Sequence, residues 1–168
     1  MKKILLRAIE PEDLETLYDI ENDSTIWEVG VTNVPYSHYL LRDYIAESRG
    51  DIFADGQVRL MVDNEEGKTI GIADLMNFDP RNRRAEVGIV IAPEYRRKGY
   101  ATATLKAVED YARRIIHLHQ VYAIVDKENV SALRLFQTAG YHTETELADW
   151  LYDGTTYRPA VLVKKILN

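Results

Sequence analysis

The 168-residue sequence predicts a mixed α/β fold: a mostly antiparallel sheet with one parallel crossover pair, flanked by about four helices. Three observations predict it. Residues 57–91 read as three strands in succession, separated by polar turns, as in an antiparallel meander. A long amphipathic stretch, 99–116, separates two β-rich runs, 84–91 and 121–125, which is the order of a parallel crossover unit. The chain then closes on a hairpin around Asp153-Gly154.

Residues 4–6 form the first strand. Pro11 suits the first turn of a helix, followed by Glu12 and Asp13 where the dipole favours anions, with Leu14, Leu17, Tyr18 and Glu21 on one side. Residues 22–35, which include Trp27 and Gly30, have no period and read as a loop. A second helix is expected over 36–48, where Leu40, Leu41, Tyr44 and Ile45 fall at helical spacing. Val58, Leu60 and Val62 alternate with Gln57, Arg59, Met61 and Asp63, a half-buried strand. Residues 64–68 turn into a strand over 69–78, residues 79–83 turn into 84–91, and Pro93 ends the sheet segment. In 99–116, Ala101, Leu105, Val108, Ala112 and Ile115 recur at steps of three and four. After the short strand 121–125, Asn129 caps a helix reaching Ala139, and Gly140 ends it. Pro159 implies an edge or a bulge in the last strand, which runs to about 165.

Composition narrows the function. With 46% hydrophobic residues and no repeat, low-complexity tract or linker, residues 1–168 are read as a single domain. A net charge of −6 argues against nucleic acid as a partner, because phosphate-tracking proteins carry a basic excess. The absence of cysteine removes disulfides, thiolate zinc sites, iron–sulfur clusters and cysteine nucleophiles. No apolar run nears the ~20 residues of a membrane span, and the three apolar residues at 4–6 fall short of the roughly 7–15 of a secretory signal. No membrane partner is therefore expected, and a cytoplasmic location is. His117 and His119 lie at a helix end that suits imidazolium, and no His-Glu-x-x-His occurs, so no metal is expected. A serine-hydrolase Gly-x-Ser-x-Gly elbow is also missing.

The most informative segment is 89–102, where a strand runs through a turn into the long helix. The first amides of a helix have no partner within it, and the dipole adds partial positive charge there. Gly99 and the small Ala101 allow close backbone approach, and Arg96, Arg97 and Lys98 add three positive charges. Together they favour a pyrophosphate, although a plain solvated basic turn has the same composition. Neither a nucleoside-triphosphate P-loop nor Gly-x-Gly-x-x-Gly is present.

The run Glu94-Tyr95-Arg96-Arg97-Lys98-Gly99-Tyr100-Ala101-Thr102 resembles the Arg/Gln-x-x-Gly-x-Gly/Ala turn of the GNAT superfamily of acetyl-CoA-dependent N-acetyltransferases. The later run from Asn129-Val130-Ser131-Ala132 to Gly140-Tyr141 is similar to that family's Asn-x-x-Ala/Ser…Gly-Phe/Tyr motif. The order of elements agrees over nearly the whole chain. Arg83-Arg84-Ala85-Glu86 and Val125-Asp126-Lys127-Glu128-Asn129 look most like the branch of spermidine/spermine acetyltransferases and ribosomal-protein N-terminal acetyltransferases.

The resemblance implies acetyl-CoA as acetyl donor. The backbone of Ile89, Val90 and Ile91 would pair with the pantetheine arm. The amides of Arg96, Arg97, Lys98, Gly99, Tyr100, Ala101 and Thr102 would hold the pyrophosphate, and Asn129 would meet the cofactor from the next helix. Strands 84–91 and 121–125 would splay apart around the thioester, which a neutral amine attacks directly in a ternary complex, and an N–H near Ile89 would stabilise the oxyanion.

An amine is mostly protonated at neutral pH, so the chemistry needs a base. Glu86 is the first candidate: alternation puts it with Gly88 and Val90 on the face opposite Ala85, Val87, Ile89 and Ile91. Asp74 is the second, expected to be an acid among apolar neighbours on the face of Ile70, Ile72, Met76 and Phe78. Either could instead be a structural carboxylate paired with Arg83, Arg84 or a backbone amide. Phe136 falls where many members have a tyrosine that protonates the departing thiolate, and phenylalanine has no proton to give. That leaves departure without an acid, or donation by water or by a tyrosine such as Tyr141. Arg97 stands where members often have glycine, so its side chain either turns away from the pyrophosphate or reaches a phosphate.

A small or polyamine-like amine is the favoured acceptor and a protein N-terminus the alternative. Residues 31–37 carry no carboxylate to hold a polyamine, which leaves Glu28, Asp43 and Glu47 to supply negative charge. Trp27, Tyr36 and Trp150 offer cation–π faces or plain packing. A non-catalytic acyl-CoA-binding module is a rival reading, and a homo-oligomer is a possible assembly.

Overall fold

In the computed structural model, β1 (Ile4–Ala8), β2 (Val58–Asn64), β3 (Thr69–Asp79), β4 (Arg84–Ile91), β5 (Gln120–Asp126), β6 (His142–Tyr152) and β7 (Tyr157–Ile166) form one sheet. Their spatial order is β1-β2-β3-β4-β5-β7-β6. The structure describes residues 1–27 and 34–168. Gly30, Glu28 and the Trp27 side chain, all singled out above, lie outside the described residues. Every neighbouring pair is antiparallel except β4 and β5, which run parallel.

The parallel pair is short. Only Arg84–Glu86 pair with Gln120–Tyr122, after which β4 stays with β3 as far as Ile91 and β5 stays with β7 as far as Asp126. The two strands therefore part beyond Glu86 and Tyr122, as the resemblance implied.

Alternation sorts the core into two layers. On one face Val87, Ile91, Val121 and Val125 pack with Leu105 of α5 (Tyr100–Arg114) and Phe136 of α6 (Val130–Thr138). On the other, Met61 and Ile72 pack with Leu17 and Ile20 of α1 (Leu14–Glu21) and Leu41 of α3 (His38–Glu47). At roughly 1.5–3 kcal/mol per fully buried aliphatic side chain, both layers contribute strongly to stability. Two single-turn helices, α2 (Ser24–Trp27) and α4 (Ile52–Asp55), complete the order.

Local chemistry sets the element ends. A 3₁₀ turn at Pro11–Asp13 opens α1, and Asp13 accepts the Glu10 N–H at 2.8 Å. Ser37 caps α3 by accepting the Leu40 N–H at 3.1 Å, so this helix starts two residues later than its apolar pattern suggested. Helix α4 has too few residues to show a period and went unread; Asp51 caps it through the Phe53 N–H at 2.9 Å. Pro159 does mark a bulge, since the β6–β7 register shifts between Leu147 and Leu151 opposite it. It does not mark an edge, because β7 lies between β5 and β6. No helix among the described residues is long and apolar enough to cross a membrane.

Candidate active site

The site grows from the fork between β4 and β5. The Ala92 N–H bonds the Ile70 carbonyl of β3 at 2.9 Å. Because backbone polar groups alternate sides along a strand, Val90 and Gly88 also turn theirs to β3. Those of Val87, Ile89 and Ile91 face the other way, toward β5 and the space it leaves. The Ile91 carbonyl is met there by Arg96 Nε at 2.8 Å. The Val87 N–H closes the β4–β5 ladder on the Tyr122 carbonyl, so the Val87 carbonyl, both polar groups of Ile89 and the Ile91 N–H form an open strand edge inside the protein.

The turn after β4 is built from special backbone conformations. A 3₁₀ turn, Pro93–Tyr95, is followed by extended Arg96, then Arg97 at φ +58° and Gly99 at φ +85°. Gly99 is the N-cap of α5, and the first helical bond runs from the Ala103 N–H to its carbonyl at 3.2 Å. The amides of Tyr100, Ala101 and Thr102 are thus the orphan donors of a fifteen-residue helix. Arg96 is committed to Ile91 and, at 3.9 Å, to Asp23, whereas Arg97 and Lys98 are exposed. Two further cations reach this corner from distant parts of the chain. Lys2 lies 5.1 Å from the centre of the Tyr100 ring, and Lys68 lies 5.3 Å from that of Tyr95. Neither has a local signal in the sequence.

Asn129 caps α6 with its side-chain oxygen, which accepts from the Ala132 N–H and the Ser131 hydroxyl, each at 3.1 Å. The helix ends as a Schellman motif: Gly140 at φ +87°, Tyr141 N–H to the Phe136 carbonyl and Gly140 N–H to the Gln137 carbonyl, each at 3.0 Å. The accompanying apolar contact is the edge-on packing of Phe136 against Tyr141 at 4.9 Å. Tyr141 is enclosed, with burial first and then the Glu109 carboxylate raising its pKa. Glu109 is held by Lys165 at 2.6 Å, and Lys165 pairs with Val121 where β4 and β5 are still joined. Tyr141 belongs to this enclosed cluster and not to the open fork.

Glu86 and Asp74 share the face covered by α1 and α3, in different settings. Glu86 takes one hydrogen bond, from Asn77 Nδ2 to Oε2 at 2.8 Å. Asn77 sits at φ +50° in a β3 bulge, where the register to β4 shifts. Arg84 turns instead to Asp79 at 3.2 Å. Asp74 differs from expectation: it is not an acid among apolar neighbours. Register places Arg59 opposite it, and both carboxylate oxygens accept from that guanidinium, at 2.7 and 2.9 Å. Arg59 also bonds Glu21 of α1 and lies 5.5 Å from the Tyr44 ring centre of α3. Burial disfavours its charge, but the hydrogen bonds to Asp74 together with the nearby charges of Asp74 and Glu21 outweigh this and its pKa is raised. The network ties two helices to the sheet, and the alternation that exposed Arg59 on paper could not show its long-range partners.

The helical side of this face is strongly acidic. Residues 10–56 hold twelve Asp and Glu against two arginines, in a chain whose net charge is −6. Glu47, Asp55, Tyr44, Ser48 and Gln57 line a cavity of about 110 Å³ beside Arg59. Of the aromatic candidates, Tyr36 packs beneath α3 with its backbone bonded to Asn22, and Trp150 is exposed on β6. Among the described residues no group of three or more His, Asp or Glu is placed to hold a metal.

An internal strand edge, a helix terminus with unpartnered amides and a carboxylate at the fork are the parts that an acyl-CoA-dependent transferase requires. Residues 3–142 match the acetyltransferase (GNAT) domain family, and the chain belongs to it. It is an acetyl-CoA-dependent N-acetyltransferase. It is 30% identical over 158 residues to spermidine N(1)-acetyltransferase of Escherichia coli, covering 94% of this chain and 83% of that protein. Identity is 29% over 171 residues to the Vibrio cholerae enzyme of the same name, with 99% and 96% covered. It is 30% over 156 residues to the putative ribosomal N-acetyltransferase YdaF of Bacillus subtilis, with 89% and 83% covered. The crystal structure of Vibrio cholerae spermidine N-acetyltransferase in complex with CoA and spermine superposes with a TM-score of 0.89 at 26% identity, covering 98% and 95% of the two chains.

Proposed function

We propose that residues 1–168 form one domain that acetylates a polyamine, with Glu86 as base. The supporting observation is the fork itself: outward-facing amides of Ile89 and Ile91 lie between the α5 N-terminus and a carboxylate that has one oxygen uncommitted. The pantetheine arm pairs with the β4 edge, the orphan amides at 100–102 hold the diphosphate, and Asn129 offers its side-chain N–H₂. The amine enters from the acidic α1–α3 side. Glu86 removes its proton, directly or through water, as nitrogen attacks, and the Ile89 N–H stabilises the oxyanion. Asp74, saturated by Arg59, orients the acceptor face. The density of carboxylates on that face and the likeness to spermidine acetyltransferases both favour a polycationic acceptor. A homo-oligomer is part of the proposal, since one structural relative is described as dodecameric.

CoA release against spermidine, spermine, monoamines and ribosomal-type N-terminal peptides tests the acceptor. Turnover with peptides alone transfers the reading to a protein N-terminus. Phe136 favours one rival, an acyl-CoA-binding module, and tight acetyl-CoA binding without transfer to any amine would establish it. Glu86→Gln should lower kcat/KM by about 10²–10⁴-fold and leave acetyl-CoA affinity unchanged. Unimpaired turnover by that variant rejects Glu86 as base.

A further inference from the structure

We infer that Tyr122 is the proton donor to the departing CoA sulfur, in place of the tyrosine that Phe136 replaces. Tyr122 is the last β5 residue paired with β4, directly opposite Glu86, at the point where the strands part. Neighbours in a parallel register point to the same face, so its phenol stands beside the Glu86 carboxylate on the acceptor side of the fork. On that strand Val121, Ala123 and Val125 turn into the core, whereas Tyr122 remains part-exposed. Its hydroxyl makes no hydrogen bond among the described residues. Tyr141 is enclosed with Glu109 and Lys165, and Phe136 has nothing to donate, whereas Tyr122 places a phenol at the point where the strands part.

The charged surroundings suit a donor that keeps its proton until it is needed. Burial first, then Glu86, raises the Tyr122 pKa, with Asp79 adding to this and Arg84 opposing it. Lys164, its partner on β7, is engaged by Glu144 at 3.3 Å. The inference rests on Glu86 as base, because the two groups then form one relay. The amine nitrogen bonds to the carbonyl carbon and gives its proton to Glu86. The C–S bond breaks, Tyr122 passes its proton to sulfur, and Glu86 returns a proton to the phenolate. Amide and free thiol leave, and both side chains end as they began.

Tyr122→Phe tests this in the full-length enzyme. The expected result is a fall in kcat of about 10–100-fold, acetyl-CoA KM within about twofold, an unchanged melting temperature and loss of the alkaline limb of the kcat–pH profile. Adding Phe136→Tyr to that variant, which restores a phenol at the family's own position, should recover rate. A fluorinated tyrosine at position 122, more acidic than tyrosine, should move the alkaline limb to lower pH. Wild-type kcat in Tyr122→Phe, a loss confined to the amine KM, or an unmoved limb with the fluorinated residue overturns the inference. The two readings separate by limb: Glu86→Gln removes the acidic limb alone if the base assignment holds. A normal profile in Tyr122→Phe beside a damaged one in Glu86→Gln rejects only the donor.

Discussion

Arg97 and Gly99 both adopt left-handed backbone, at φ +58° and +85°, and only one of them is glycine. A side chain in that conformation costs roughly 1–2 kcal/mol, so the strain at Arg97 is compensated elsewhere. Its guanidinium is exposed and unpaired among the described residues, at the mouth of the turn. Arg97→Gly relieves strain but returns about 0.4–1 kcal/mol of unfolded-state entropy, so the melting temperature should stay within a few degrees. If the arginine meets a phosphate, calorimetry should show acetyl-CoA affinity falling several-fold, and less so at high salt. Gly99→Val probes the opposite case. A Cβ there would meet nothing nearer than Lys2 Cγ at 3.8 Å, so space is not the constraint. The φ angle is, together with cover laid over the amides of 100–102. Acetyl-CoA binding should weaken at least about tenfold, a cost of 1.4 kcal/mol, with a smaller effect on stability.

At the scale of elements, ends that depend on neighbouring residues were legible and those that depend on distant ones were not. Asn129 as cap, Gly140 as terminator and Arg84–Ile91 as a strand all follow from residues within a turn of each other. The partners of Arg59 and Glu86, and Asp63 beside Arg7, arrive across the sheet and leave no local trace. Asn129 allows a clean separation of cap from ligand contact. Asn129→Asp keeps the oxygen that accepts the Ala132 N–H but removes the side-chain N–H₂, so stability should hold while acetyl-CoA affinity drops. Asn129→Ala should lose both, with about 1 kcal/mol of stability.

Arg7 of β1 joins both kinds: it bonds Asp63 across the sheet at 2.6 Å and both oxygens of Asp13, six residues on, at 2.8 Å. The Arg7 hydrogen bonds, opposed by burial and aided by the Glu10 N–H, lower the Asp13 pKa. A lowered folded-state pKa stabilises the fold fully above the ordinary carboxylate value near 3.9 and less as pH falls through the folded value. Asp13→Asn should therefore cost about 1.5–3 kcal/mol at pH 7, and urea titrations should show the gap to wild type shrinking below about pH 4.

For the whole molecule, the parallel crossover was legible because a helix of fifteen residues separates the strands it joins. The insertion of β7 between β5 and β6 was not, since a hairpin read from its turn can add to a sheet by either strand. Charge distribution is likewise a property of the assembled fold. Among the described residues, the segment that carries α1 and α3 is rich in carboxylates, Glu47 and Asp55 lining the cavity beside Arg59, while Arg97, Lys98, Lys2 and Lys68 gather at the cofactor turn, so one surface favours a cation and the other an anion. Screening lengths shrink from about 30 Å at 0.01 M salt to about 8 Å at 0.15 M, so the summed attraction of scattered carboxylates fades faster than direct contacts do. The KM of a tri- or tetra-amine should then rise steeply between these salt concentrations, that of a monoamine much less, and kcat should hardly change. Initial rates at fixed saturating acetyl-CoA measure this directly. Equal salt dependence for mono- and polyamines would mean that the acidic face does not select the acceptor, and the substrate assignment would then pass to the peptide N-terminus.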